Sequence, residues 1–90
     1  MAYYDIDGSK CNIEKWRDNL KKYGKKEAEE IISGVYVNVL YTGLLPNAWK
    51  VTSWTTDESK AKNYSNSFYV ESEAAAISKA NEISDSIRGG

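Results

Sequence analysis

Val35-Tyr36-Val37-Asn38-Val39-Leu40-Tyr41 and, after a short loop, Trp49-Lys50-Val51-Thr52-Ser53-Trp54-Thr55 are the stretches that decide the fold. Both alternate with a period of two and are rich in β-branched and aromatic residues, the signature of strands on a pleated surface. Alternation puts Val35, Val37, Val39 and Tyr41 on one face and Tyr36 and Leu40 on the other. In the second stretch Trp49 and Val51 point one way, and Lys50, Thr52 and Trp54 the other. Gly43-Leu44-Leu45-Pro46-Asn47 between them reads as a loop, because Pro46 cannot donate to a ladder and Gly43 and Asn47 suit turns.

Outside these strands the period changes to that of a helix. Ile13, Trp16, Leu20 and Tyr23 recur at spacings of three, four and three and form one apolar stripe. Ser9 or Asn12 can cap this helix, Lys21 and Lys22 complement its dipole in the last turn, and Gly24 can end it. The spacing of Ala28, Ile31 and Ile32 predicts a second, shorter helix over Lys25–Ser33, ended by Gly34, with one long helix bent at Gly24 as the alternative. Glu27, Glu29 and Glu30 would then form its solvated side. At the other end Ser72 caps a final helix whose expected buried stripe is Ala76, Ile77, Ala80, Ile83 and Ile87. Thr56–Ser67 is polar, with a helical turn at Glu58–Tyr64 capped by Asp57 as one reading and a long hairpin loop as the other. Phe68-Tyr69-Val70 is a further short strand, and Ala2–Ile6 can form a first one. The expected order is β-α-(α)-β-β-β-α. This defines an α+β, two-layer domain with an antiparallel sheet of three or four strands packed by helices. Ninety residues suffice for a single domain, 1–90.

Composition excludes several kinds of chemistry. The chain has no histidine, which removes the commonest general base and the commonest metal ligand. Cys11 is the single cysteine, so no intramolecular disulfide can form, and a reducing, cytoplasmic setting is expected. The N-terminus lacks the basic-then-apolar pattern of a secretion signal, and no apolar run is long enough to span a membrane. Asp5-Ile6-Asp7-Gly8-Ser9 fails as a calcium loop. Counting from Asp5, the positions that require Gly and Glu hold Lys10 and Trp16, so the segment reads as a turn. Cys11 near a helix start has no base to accept its proton and reads as structural. No Gly-x-Ser-x-Gly or phosphate-binding loop is present. The expectation is therefore a chain without catalytic residues, cofactor or metal. An enzyme or small-ligand protein working through carboxylates, Tyr and Cys11 is the least favoured alternative.

Two features point to binding. Between Lys10 and Lys26 stand seven basic and two acidic residues, net +5, whereas the remainder has five basic and eleven acidic residues, net −6. Arg17, Lys21 and Lys22 head this basic helix. It is read either as an ordinary solvated face or as a contact for phosphate or an acidic protein surface. Seven Tyr and three Trp form the second feature. Tyr36, Leu40 and Trp54 fall on the sheet face opposite the valines, which so short a chain can hardly cover. Exposed Tyr and Trp anchor protein interfaces and can also stack on single-stranded bases, and amphipathic Tyr also occupies open sheet faces without any partner. The leading expectation is a protein-binding module, an inhibitor of a larger host protein or a homo-oligomeric accessory protein. A nucleic-acid-binding domain is the alternative.

Trp49-Lys50-Val51, Phe68-Tyr69-Val70 and Ser72-Glu73-Ala74 together form two strands that lead into a capped helix. This arrangement is similar to those in the sheet-type DNA-binding arms of phage integrases and in small phage proteins that inhibit host enzymes. The resemblance covers less than half the chain. It implies a phage or mobile-element origin and transfers no site.

Overall fold

A computed structural model describes residues 2–24 and 28–89. The chain is an α+β domain built on an antiparallel four-stranded meander of β3 (Glu29–Ile32), β4 (Val35–Tyr41), β5 (Trp49–Thr55) and β6 (Asn66–Val70), in that spatial order. Tyr41 pairs with Trp49 and Val35 with Thr55, so β4 and β5 run in register along their whole length. The final helix, α3 (Glu73–Gly89), lies across one face of this sheet. The first helix, α1 (Ile13–Tyr23), packs on the same face near Tyr41 and Trp49. A polar crossover between β5 and β6 holds a 3₁₀ turn at Glu58–Lys60 and the short helix α2 (Ala61–Tyr64). Asp57 caps the 3₁₀ turn by accepting from Ser59 N.

Two sequence expectations are corrected. The second helix read over 25–33 is not formed across its described part. Residues 25–27 lie outside the described residues, and Glu29–Ile32 is a strand hydrogen-bonded to β4. Ser33 and Gly34 make the intervening turn, with Gly34 at φ +76°. β-branched Ile31 and Ile32 suit a strand as well as they suit a helix, and the exposed edge of β4 decides between them. Ile77, expected in the buried stripe of α3, is 45 % exposed, whereas Ser84 is buried beside Ala76 and Ile87. Residue 77 is one step, about 100°, around the helix from residue 76, so it clears the contact line.

The first strand does not join the main sheet. β1 (Tyr3–Tyr4) pairs with β2 (Lys10–Cys11) in a separate two-stranded ribbon. The Asp5–Ser9 segment is the turn of this hairpin, with Gly8 at φ +87°. Among the bonds that join this end of the chain to the sheet and its β4–β5 loop, Trp16 Nε1 donates to Thr42 O at 2.9 Å, Trp49 Nε1 to Ile6 O at 2.8 Å, and Tyr4 N to Gly43 O at 2.8 Å. Asn12 caps α1 by accepting from Lys15 N, and Ser72 caps α3 by accepting from Ala75 N.

The core lies between the sheet and the helices, with Val35, Val37, Tyr41, Ala48, Trp49, Val51, Ala76 and Ile87 buried in it. Every strand residue in this set belongs to the same side of the alternation. The molecule is thin, 41 × 19 × 19 Å, with a radius of gyration of 13.9 Å against about 12 Å for a compact chain of this length. It exposes 5780 Å², where a protein of its mass normally exposes about 5,300 Å². The excess accords with the elongated shape.

Candidate interaction surface

The uncovered face is a grid fixed by strand register. Strand alternation and the pairings place Glu30, Tyr36 and Trp54 in one row across β3, β4 and β5. Asn38, Thr52 and Ser67 form the middle row, and Leu40, Lys50 and Tyr69 the third. Adjacent rows are two residues apart along each strand, about 7 Å, so the two aromatic rows stand roughly 14 Å apart across a polar strip. Tyr36 and Trp54 stack, with ring centroids 5.6 Å apart and planes 19° apart. Lys50 Nζ lies 5.6 Å from the centroid of Tyr69, which is 44 % exposed. Tyr36, Leu40 and Trp54 are half-buried by these neighbours and take no part in the buried cluster. A hydrogen bond to Glu30 and its negative charge push the Tyr36 phenol above its ordinary value. Among the described strand residues of this face the charged ones are Lys50 and Glu30, of opposite sign.

The basic residues read from sequence lie elsewhere. Trp16, Leu20, Tyr23 and Asn19 of α1 turn toward the sheet, and Asn19 is the most buried of them. Arg17, Lys21 and Lys22 are exposed on the solvent side of that helix. Because α1 packs on the Tyr41–Trp49 face, these cations and the aromatic rows occupy opposite sides of the sheet. The fold puts Tyr36, Leu40 and Trp54 on one face, brings Tyr36 and Trp54 into contact, leaves Leu40 two rows away, and separates all three from Arg17, Lys21 and Lys22.

Strand parity puts Lys50 on this face from the sequence alone, whereas its row partner Tyr69 becomes visible only once β6 is placed beside β5. Leu44 and Leu45, in the loop that leaves this end of β4, are 46 % and 50 % exposed. Two adjacent leucines before Pro46 were the available signal.

The remaining chemistry-bearing groups are accounted for locally. Cys11 is half-buried in the N-terminal ribbon, and burial followed by the negative charge of Asp5 pushes its thiol up. That is the opposite of what a nucleophilic thiolate requires. Asp7 accepts from Ser9 N at 2.9 Å and from Ser9 Oγ at 2.5 Å, which lowers its carboxyl. Among the described residues no three of Asp, Glu and Cys come together as metal ligands. No helix among them is long and apolar enough to cross a membrane. Compared with known families, curated proteins and solved structures, the chain matches none.

Proposed function

We propose that this chain is a non-catalytic protein-binding module that grips a larger protein through its uncovered sheet face. The observation that carries this reading is the placement of Tyr36–Trp54 and Leu40–Lys50–Tyr69 on a face that no helix among the described residues covers. Large amphipathic rings held on a rigid sheet lose little side-chain entropy on contact, which is why Tyr and Trp dominate binding energy at interfaces. The near-zero charge of the face favours a neutral protein surface over a phosphate chain, whose binding needs several unpaired cations. The lysines of α1, on the far side, cannot add to it. Inhibition of a host protein is one form such a module takes. The lone thiol agrees with residence in the cytoplasm, where it stays reduced.

Capture from the native host, comparing the wild type with Tyr36→Ser/Trp54→Ser and with Lys21→Glu/Lys22→Glu, tests the reading. A specific protein retained by the wild type and by the lysine variant, and lost at least tenfold by the aromatic variant, is the expected result. A partner retained by the aromatic variant and lost by the lysine variant overturns it. So does a wild-type dimer that the aromatic variant dissociates, because the face is then occupied by a second copy.

A further inference from the structure

The two edges of the main sheet are built differently. β3 is four residues long, carries Glu29 and Glu30, and has a register irregularity between Glu30 and Ile32. Charge, shortness and irregularity keep an edge from pairing with other chains. At the opposite edge Asn66-Ser67-Phe68-Tyr69-Val70 is free of charge, proline and glycine and pairs regularly with β5. Among the described residues no strand pairs with its outer side. The phase of the ladder says which groups point there. Thr56 N donates to Gly34 O at 2.9 Å and Thr42 N to Ala48 O at 2.8 Å. In that phase Lys50, Thr52 and Trp54 bond to β4, and Trp49, Val51 and Ser53 bond to β6. Their partners Val70, Phe68 and Asn66 are thereby satisfied, whereas Ser67 and Tyr69 turn N–H and C=O outward. Tyr69 O accepts a long bond, 3.4 Å, from Asn47 Nδ2.

We propose that β6 pairs antiparallel with β6 of a second copy of this chain, about a two-fold axis through Phe68. Facing residues of two strands must share a sheet face. The register that sets Ser67 opposite Tyr69 of the second copy meets this condition, and in it each outward N–H finds an outward C=O. It also sets Phe68 opposite Phe68 as a non-hydrogen-bonded pair, where side chains approach most closely. Phe68 is half-buried on the helical side of the sheet, and Lys79 Nζ lies 4.4 Å from its centroid. Asn66 faces Val70, so no like charges oppose one another along the edge. Lys79 and Glu82, the charged residues beside Phe68, form an opposite pair 3.4 Å apart, and a two-fold copy meets them with the same balance. The occupant is a second copy because this edge is its own complement and brings its strand already formed on β5. A free peptide would first have to be ordered. The axis stands perpendicular to the sheet, so the two open faces continue into one surface, with Ser67 of each copy beside Tyr69 of the other. The pairing enlarges the aromatic face and does not depend on what that face binds.

Sedimentation equilibrium of the full chain, from dilute to roughly millimolar solution, tests this. The expected mass rises with concentration to twice that of the single chain. Amide exchange of Ser67 and Tyr69 slows about tenfold or more at the concentrated end, while that of the opposite edge strand, Glu29–Ile32, keeps its rate. Ser67→Pro removes an outward N–H and spares the bonds to β5, so it abolishes the dimer while circular dichroism is retained. Ser67→Lys sets like charges diagonally across the axis and weakens the dimer about tenfold, which serves if the proline variant does not fold. Tyr36→Ser/Trp54→Ser remains dimeric. A wild type that stays monomeric throughout overturns the proposal and leaves the aromatic-face reading to the capture experiment. A dimer that neither Ser67 variant weakens, or one in which Ser67 and Tyr69 exchange as fast as in the monomer, overturns it too. A monomeric wild type that captures a foreign protein, lost on Ser67→Lys, assigns the edge to that protein instead. A dimer that Tyr36→Ser/Trp54→Ser dissociates overturns this proposal and the aromatic-face reading together.

Discussion

Tyr41 shows how a single side chain can join three distant segments. It is 1 % exposed, and its hydroxyl donates to Tyr4 O in β1. It accepts from Asn19 Nδ2 of α1 at 3.4 Å, and the same amide donates to Asp5 Oδ1 at 2.8 Å. Position 43 beside this cluster requires glycine twice over, because φ is +65° there and because a side chain would strike the Tyr41 hydroxyl and the Trp16 ring. Burial pushes the Tyr41 phenol above its ordinary value of 10.0, partly opposed by the Asn19 bond. A raised folded-state value means that the contribution to stability is whole below pH 10. It is lost as pH rises through the folded value. Tyr41→Phe should cost about 1–2 kcal/mol at neutral pH, since it strands the polar groups that surround it. Thermal midpoints measured from pH 9 to 12 should then fall less steeply in the variant than in the wild type.

At the scale of elements, β3 is the instructive case. Ala28, Ile31 and Ile32 match a helical spacing, and nothing local in Glu29–Ile32 distinguishes the two outcomes. The strand wins because Ser33-Gly34 turns the chain back against β4, where Glu29 and Glu30 find partners in Val37 and Tyr36. The turn is held from both sides, by Glu30 Oε2 accepting from Gly34 N at 3.3 Å and by Thr56 N donating to Gly34 O at 2.9 Å. Gly34→Ala forces a side chain into the left-handed region, at about 1–2 kcal/mol. Amide exchange should accelerate roughly five- to thirtyfold in Glu29–Ile32 and remain nearly unchanged in β5. The helices behave in the opposite way. Asn12, Asp57 and Ser72 cap where their side chains allow it, because a cap bond reaches only two or three residues along the chain.

For the whole molecule the decisive fact is that one sheet face bears the core and the other bears aromatics without a cover. The two faces should therefore respond differently to truncation. Tyr36 and Trp54 contact one another across β4 and β5, and Tyr36→Thr/Trp54→Thr should cost no more than about 1 kcal/mol in urea unfolding, the usual worth of a cross-strand pair. Trp49, fully buried between the rings of Tyr23 and Tyr41, should cost roughly 3–5 kcal/mol as Trp49→Ala. Similar losses from both sets would mean that the aromatic face belongs to the core and is not held for a partner.

The sequence by itself determined β4, β5, α1 and α3, the Ser72 cap, and the division of Tyr36, Leu40 and Trp54 from the valine face, and it narrowed the cap of α1 to Ser9 or Asn12. These rest on periodicity and on side chain-to-backbone bonds, both of which act within a few residues. The tertiary structure alone decided that both packed helices share one face, that Arg17, Lys21 and Lys22 lie on the far side from the aromatics, and that Glu29–Ile32 is an edge strand. It also decided that Tyr3–Tyr4 stays outside the main sheet. Each of these depends on which remote surfaces meet. No local pattern can carry that information, because burial is a property of two surfaces and a sequence window contains only one.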